Sequence, residues 1–270
     1  MTAAKLITSL TNDRVKAIRA LEMRKIRKET GLFVAEGASL LITARDHGVV
    51  PETLVYQSGT NESGIVRGLV VWAVKQGTEV LEVSEAVLAK LASKDNPQTV
   101  LGVFKQTFAP QPVPKQLDKT ATWLALEDVR DPGNLGTIIR TSDAAGVSGI
   151  ILVGACCDPF STEAIRATMG SIFAVPIVKM ERDAFLALAK NWPGDVVATH
   201  LNATEDFRAV KYRSPELVVM GGEGPGLSDE VAAASTRRVR IPMSGRLDSL
   251  NLAIATALTL YQIRGSRLKI

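Results

Sequence analysis

After residue 120 the chain alternates short apolar runs with polar, helix-forming stretches, and this alternation most constrains what it can fold into. The runs are TWLALE (122–127), GIILVG (149–154), AVPIVK (174–179), DVVATHL (195–201), ELVVMG (216–221) and RRVRIPM (237–243). Helical patterns lie between them at 135–145, 161–169, 182–191 and 228–234, and a last one spans 249–263. Apolar strands separated by helices predict a parallel sheet covered on both faces. Ligands of such sheets bind beyond the carboxyl ends of the strands, so the loops there are where chemistry is sought.

The segment TFAPQPVPKQLDK (107–119) carries Pro110, Pro112 and Pro114, and alternating prolines block both helix and central strand. It reads as a linker. It separates an N-terminal domain, 1–106, from a C-terminal one, 120–270, a division that suits a chain of 270 residues. The N-terminal part reads as a small α/β sandwich. A basic amphipathic helix at 12–28 is followed by strands at 32–37, 53–57, 79–83 and 100–105, with helices at 38–47, 64–76 and 85–92.

No stretch reaches the ~18 uninterrupted apolar residues of a membrane helix. The opening MTAAKLITSLTNDR has no apolar signal core, so a cytoplasmic location is expected. Cys156 and Cys157 are adjacent, which is neither a disulfide framework nor a zinc spacing, and His47 and His200 have no cysteine nearby. No metal is expected.

Charge is unevenly spread. Residues 1–30 hold eight bases (Lys5, Arg14, Lys16, Arg19, Arg24, Lys25, Arg27, Lys28) against three acids. Such a stretch steers polyanions or simply forms a solvated helix face. Arg237, Arg238, Arg240 and Arg246 form a second cluster, and Arg264, Arg267 and Lys269 a third.

Three loops stand out. In DVRDPGNLGTIIRTSDAAG (128–146), Asn134 is placed as a helix N-cap, Gly146 as a helix stop, and Arg140 sits beside Ile138 and Ile139, as a surface arginine also could. In MGGEGPGLSDE (220–230), four glycines permit close backbone approach to a ligand, and Ser228 caps the next helix. This is neither the dinucleotide fingerprint nor a Walker loop. Glu223 in its middle would repel phosphates, which favours a cofactor without a phosphate chain. In IPMSGRLDSLNLAIATALTLYQIRG (241–265), Ser249 and Asn251 stand at the mouth of an apolar helix. Ser249 serves equally as a cap, whereas asparagine inside a first turn is poorly explained by helix propensity.

Together these loops resemble the three motifs of the SpoU (TrmH) family of RNA ribose 2′-O-methyltransferases: NLGTIIRTSDAAG, VVMGGEGPGLS and IPMSGRLDSLNLAIATALTLY, in order. More loosely, SLTNDRVKAIRALEMRKIRKETGLFVAEG (9–37) and NPQTVLGVF (96–104) are similar to the ribosomal-protein-like substrate-binding domain that often precedes that catalytic domain. The resemblance implies an α/β domain with a deep trefoil knot, a homodimer whose interface helps form the active site, and S-adenosylmethionine as methyl donor. Carried over by motif, Gly221, Ile241, Leu250, Met243 and Thr199 would touch the cofactor. Arg140, Asn134, Glu223, Ser249 and Asn251 would form the functional polar set. Arg14, Lys16, Arg24, Lys25, Arg27 and Lys28 would capture RNA.

A ribose 2′-hydroxyl is a poor nucleophile, so the chemistry needs positioning and help with proton loss. No histidine stands in the motifs. Arg140, a cation that is normally fully protonated, is expected to grip a phosphate and stabilise the developing alkoxide. The two-domain layout favours ribosomal RNA over transfer RNA. A base methyltransferase, a non-catalytic RNA-binding protein of the same fold and a nucleotide-dependent dehydrogenase are the competing readings.

Overall fold

The apolar runs after residue 120 pair side by side, all in one direction. In the computed structural model, residues 6–62, 64–92, 98–246 and 249–268 are described; Lys5, Asn96, Pro97, Leu247, Asp248 and Lys269, which figure in the sequence motifs and clusters, lie outside them. The chain divides into two units, Met1–Gln106 with Asp158–Phe173, and Thr107–Cys157 with Ala174–Ile270.

The first unit contains α1 (Asp13–Ala20), α2 (Arg24–Thr30), β1 (Leu32–Glu36), α3 (Ala38–Asp46), β2 (Thr53–Gln57), α4 (Gly64–Lys75), β3 (Glu79–Val83), α5 (Glu85–Leu91) and β4 (Val100–Lys105). Its sheet has the order β1-β4-β2-β3, with β2 and β3 parallel and the other pairings antiparallel. Side chains alternate across it. Val55, Val83, Leu101 and Val103 meet Val15, Ile18 and Leu21 from the first helix and the turn after it. Phe33 and Phe104, one residue out of step with that set, face the other way.

Two differences from expectation have physical causes. The single helix expected over 12–28 is broken at Leu21–Met23. Arg27 Nη1 donates to the carbonyls of Leu21 and Glu22 at 2.9 and 2.7 Å, satisfying acceptors that the break would leave bare. Asp158–Phe173, expected within the 120–270 domain, packs in the first unit. Phe160 lies 4.9 Å from Phe33 and Phe173 lies 4.8 Å from Phe104 (ring centroids), and Asp158 pairs with the buried Arg27. This segment carries a short helix, α7 (Thr162–Thr168), capped by Ser161.

The second unit is built on β5 (Thr122–Glu127), β6 (Gly149–Val153), β7 (Ile177–Met180), β8 (Val196–Thr199), β9 (Glu205–Asp206), β10 (Glu216–Gly221) and β11 (Arg237–Arg240). The strand order is β7-β6-β5-β10-β8-β11-β9, and every pairing is parallel. Its helices are α6 (Pro132–Ala144), α8 (Arg182–Lys190), α9 (Asp229–Ala234) and α10 (Leu252–Arg264). The 107–119 segment holds no strand and only a 3-10 turn at Pro114–Gln116. The strand expected over 237–243 ends at Arg240, so Ile241–Met243 run as a loop. From β5 the chain proceeds outward through β6 to β7, then returns to lay β8 and β10 on β5's other side. The switch point between β5 and β10 brings the loops that follow them together in the middle of the sheet, where such folds bind ligands.

Candidate active site

The first loop leaves β5 and enters α6. Its N-cap is Asp131, whose Oδ1 accepts the Asn134 N–H at 2.6 Å, with Pro132 at the first helical position. Asn134 was expected to be that cap. It sits instead inside the first turn, which frees its side chain. Asn134 Nδ2 donates to Glu223 Oε1 at 2.7 Å, and Asn134 Oδ1 accepts Asn251 Nδ2 at 2.9 Å.

Asn251 corrects another expectation. It lies ahead of the helix rather than within it, and its Oδ1 caps α10 by accepting the N–H groups of Ala253 and Ile254 at 2.9 and 3.3 Å. The amide thus splits its work, the oxygen holding the helix and the nitrogen holding Asn134. Ser228 caps α9 as expected, accepting the Val231 N–H.

Glu223 joins the other end of this chain of amides. Its Oε2 accepts the backbone N–H of Arg130 at 3.0 Å. Partial burial pushes its carboxyl up, but the Asn134 amide and the N–H groups of the Arg130 segment outweigh that and hold its pKa below the ordinary glutamate value. Two glycines in the same loop are required by close approach. A Cβ on Gly221 would lie 2.1 Å from the Gly226 carbonyl carbon, and one on Gly222 would lie 2.4 Å from the Asp128 carbonyl oxygen.

These elements surround a cavity of about 360 Å³. Asn134, Glu223, Ser249 and Asn251 of the expected polar set line it, as do Thr199, Gly221, Ile241, Met243 and Leu250 of the expected cofactor set. Arg140 does not. It stands exposed on α6, while Ile138 and Ile139 beside it are buried. Sequence reasoning passed over His200, Leu201 and Arg240, which also line the cavity. Their position at the ends of β8 and β11 was the available signal. His200 Nδ1 accepts the Asn202 N–H at 3.2 Å.

Cys156 and Cys157 are half-buried in the turn after β6. Burial, with the neighbouring Cys156 and Glu223, pushes the Cys157 thiol up to about 12, so it is no thiolate nucleophile at neutral pH. Among the described residues no group of His, Cys, Asp or Glu is arranged to hold a metal ion. No described helix is long and apolar enough to cross a membrane.

The basic residues at the N-terminus are not equivalent. Arg24 and Lys28 are exposed, Arg14 pairs with Glu79, Lys16 lies 3.6 Å from Asp13, and Lys25 lies 3.9 Å from Glu29. Arg27 was expected to contact RNA, but it is only 4 % exposed and is held by Asp158. A guanidinium so placed cannot reach a phosphate.

Residues 121–261, which contain all three motifs, match the SpoU rRNA Methylase family. The chain belongs to that family. Residues 12–102 match an MRM3-like substrate binding domain. An uncharacterised tRNA/rRNA methyltransferase of Synechocystis is 35 % identical over 260 residues, with 96 % of this chain and 93 % of that protein covered. The 23S rRNA (guanosine(2553)-2′-O)-methyltransferase RlmP of Bacillus subtilis is 29 % identical over 263 residues, covering 97 % and 100 %. A crystal structure of an AdoMet-bound rRNA methyltransferase from Sinorhizobium meliloti matches with a TM-score of 0.89 and 47 % identity, covering 98 % of this chain and 99 % of that one. Residues 121–261 are therefore a SpoU methyltransferase domain, and the parallel sheet and preceding α/β domain expected from the sequence are both present.

Proposed function

We propose that this SpoU-family protein methylates a ribose 2′-hydroxyl of ribosomal RNA, in the large subunit, with S-adenosylmethionine as donor and no metal. The observation that carries it is the amide chain Asn251–Asn134–Glu223, which ties all three motifs together at the mouth of the cavity. The relatives support the substrate: RlmP is by name a 23S rRNA 2′-O-methyltransferase, and the Sinorhizobium meliloti rRNA methyltransferase was crystallised with S-adenosylmethionine.

The residues present fit the donor. Gly221, Gly222, Gly224 and Gly226 line the cavity with backbone alone, the close packing of Gly221 on Gly226 and of Gly222 on Asp128 fixes the path of that backbone, and Ile241, Met243 and Leu250 supply an apolar wall. Glu223, held ionised by its partners, offers a negative charge where a sulfonium is to be accommodated and phosphate is excluded. The donor supplies an electrophilic methyl group when bound. Asn134 and Glu223 keep the two loops in register beside it, and Asn251 anchors α10 to both. Arg140 is to hold the phosphate next to the target ribose and stabilise charge on its oxygen, which supplies on the order of 3–4 kcal/mol in comparable sites.

Arg140 stands outside its own chain's cavity, and this favours a homodimer. α10 packs against α6 and carries Ile254, Leu258 and Tyr261 exposed at helical spacing. A second copy is to cover that stripe, with Arg140 acting at the partner's site. Arg14, Lys16, Arg24, Lys25 and Lys28, all on exposed surface of the substrate-binding unit, are to capture RNA through its phosphates. The protein would act in the cytoplasm, where ribosomal RNA is.

Calorimetry with S-adenosylmethionine and mass-spectrometric mapping of 2′-O-methyl nucleotides, in RNA from cells with and without the gene, test this function. Arg140→Ala should lower turnover by roughly 100-fold and leave donor affinity unchanged. Equal turnover would remove Arg140 from the mechanism. No donor uptake, with or without RNA, would end the proposal.

A further inference from the structure

Arg182 belongs to none of the three motifs and does not line the cavity. It opens α8, and its guanidinium lies across the end of β5. Nε donates to Glu127 Oε1 at 2.9 Å and Nη2 donates to Asp128 Oδ2 at 2.9 Å.

Both carboxylates hold loops of the site. Glu127 is 1 % exposed. Its Oε1 also accepts the Ser228 hydroxyl, and its Oε2 the Ser228 N–H, each at 2.8 Å, which pins the exit of the glycine loop. Asp128 Oδ1 accepts the Ala155 N–H from the turn after β6 at 2.6 Å. Asp128 also has φ 51°, a left-handed conformation that a residue with a Cβ keeps only when its surroundings impose it. Its carbonyl is the atom that leaves no room for a Cβ on Gly222.

The base of the β5–α6 loop and the base of the glycine loop therefore meet at Glu127 and Asp128. The tips of the same loops meet at Glu223, through Arg130 N–H and the Asn134 side chain. We propose that Arg182 is a positioning residue for the methyl-transfer site: by bridging Glu127 and Asp128 it holds the left-handed turn at Asp128, and so fixes where the β5–α6 loop meets Glu223. This rests on the methyltransferase function proposed above. Without the guanidinium, two consecutive carboxylates face each other with no cation between them, and Asp128 is released toward negative φ. Residues 129–131 then move relative to the glycine loop.

The test compares the full-length wild type with Arg182→Met, Arg182→Lys, Asp128→Gly and the double variant Asp128→Gly/Arg182→Met. Each is measured for S-adenosylmethionine affinity by calorimetry, turnover on RNA, and thermal midpoint, at a temperature where circular dichroism shows full folding. Misplacement on the order of 1 Å costs about 100-fold, so R182M should lose roughly 10- to 100-fold in turnover and bind the donor more loosely while folded. R182K, which keeps the charge without the fork that spans both carboxylates, should fall between R182M and wild type. Glycine adopts φ 51° freely, so R182M should cost markedly less in the D128G background than in wild type. A merely structural arginine would lower the midpoint and leave the affinity of the folded protein untouched.

If wild type fails to bind the donor, the proposed function falls. If wild type binds and folded R182M matches it in affinity and turnover, or if D128G relieves none of the loss, the role of Arg182 is refuted and the function stands. Should R182M not fold, R182K decides: wild-type affinity and turnover overturn the role, and loss of both without loss of folding supports it.

Discussion

Replacing Arg27 with methionine should remove a large part of the stability of the first unit while leaving RNA contacts in place. The Arg27 and Asp158 side chains are 5 % and 13 % exposed. Nε and Nη2 donate to Asp158 Oδ2 at 2.9 and 2.8 Å, and Nη1 serves the carbonyls of Leu21 and Glu22. Methionine keeps the aliphatic stem but leaves behind a carboxylate and two carbonyls shielded from water. Breaking a buried pair from one side costs about 3–5 kcal/mol, against a total of about 5–15 kcal/mol for a typical domain. Asp158 Oδ1 also accepts the Phe160 N–H at 3.0 Å, a bond that asparagine retains. Arg27→Met/Asp158→Asn should therefore recover much of the loss, because it removes the stranded charge. Urea denaturation followed by circular dichroism measures both variants, read at the transition of the first unit. Salt dependence of RNA binding supplies the second axis. Losing one phosphate contact lowers the slope by about 1, so Arg24→Ala or Lys28→Ala should show that drop and folded R27M should not. A stability loss under about 1 kcal/mol, together with a reduced slope in R27M, would refute the burial argument and return Arg27 to the RNA-facing set.

Two further outcomes are expected. A fragment starting at residue 107 should associate or misfold, measured by light scattering, because it carries Phe160 and Phe173 without Phe33 and Phe104, their partners in the first unit; a monodisperse fragment would show that Asp158–Phe173 does not need the N-terminal sheet. Glu223 has a folded pKa below its unfolded one, so its contribution to stability is present above the ordinary carboxylate range near pH 4.3 and is lost as pH falls through the lower folded value. Because the group is only partly buried and solvent still screens it, the advantage of wild type over Glu223→Gln should be no more than about 1 kcal/mol at pH 7 and should vanish in acid; urea titrations at pH 7 and below the folded value measure it, and an advantage that grows in acid would contradict the assignment.

Much of the catalytic unit was legible in the sequence because its physics is local. Strands buried on both faces read as unbroken apolar runs, which is why β5, β6 and β10 were located within a residue of their observed bounds. Glycines that allow backbone to approach backbone, and short amides at strand ends, draw attention to the three loops by residue type; the ten catalytic and cofactor residues follow from the family resemblance those loops carry, and nine of them line one cavity. Cap positions were less legible. Asp131 and Asn134 are both capable caps, and only the placement of Pro132 inside the helix gives the task to Asp131 and frees Asn134 for Glu223.

What sequence by itself determined, then, was where strands, helices and loop chemistry lie along the chain, since propensity and periodicity act over a few residues. Tertiary structure decided which like residues differ in role. Arg27 and Lys28 are neighbours in one basic run, yet Arg27 is buried against a carboxylate 131 positions away and Lys28 is exposed. Arg182 looks like any first-turn arginine until Glu127, 55 positions earlier, is seen to hold it. Asp158–Phe173 joins the first unit because Phe160 and Phe173 pack against Phe33 and Phe104. Burial and ion pairing depend on which distant segments meet, and no local pattern of residues encodes that meeting.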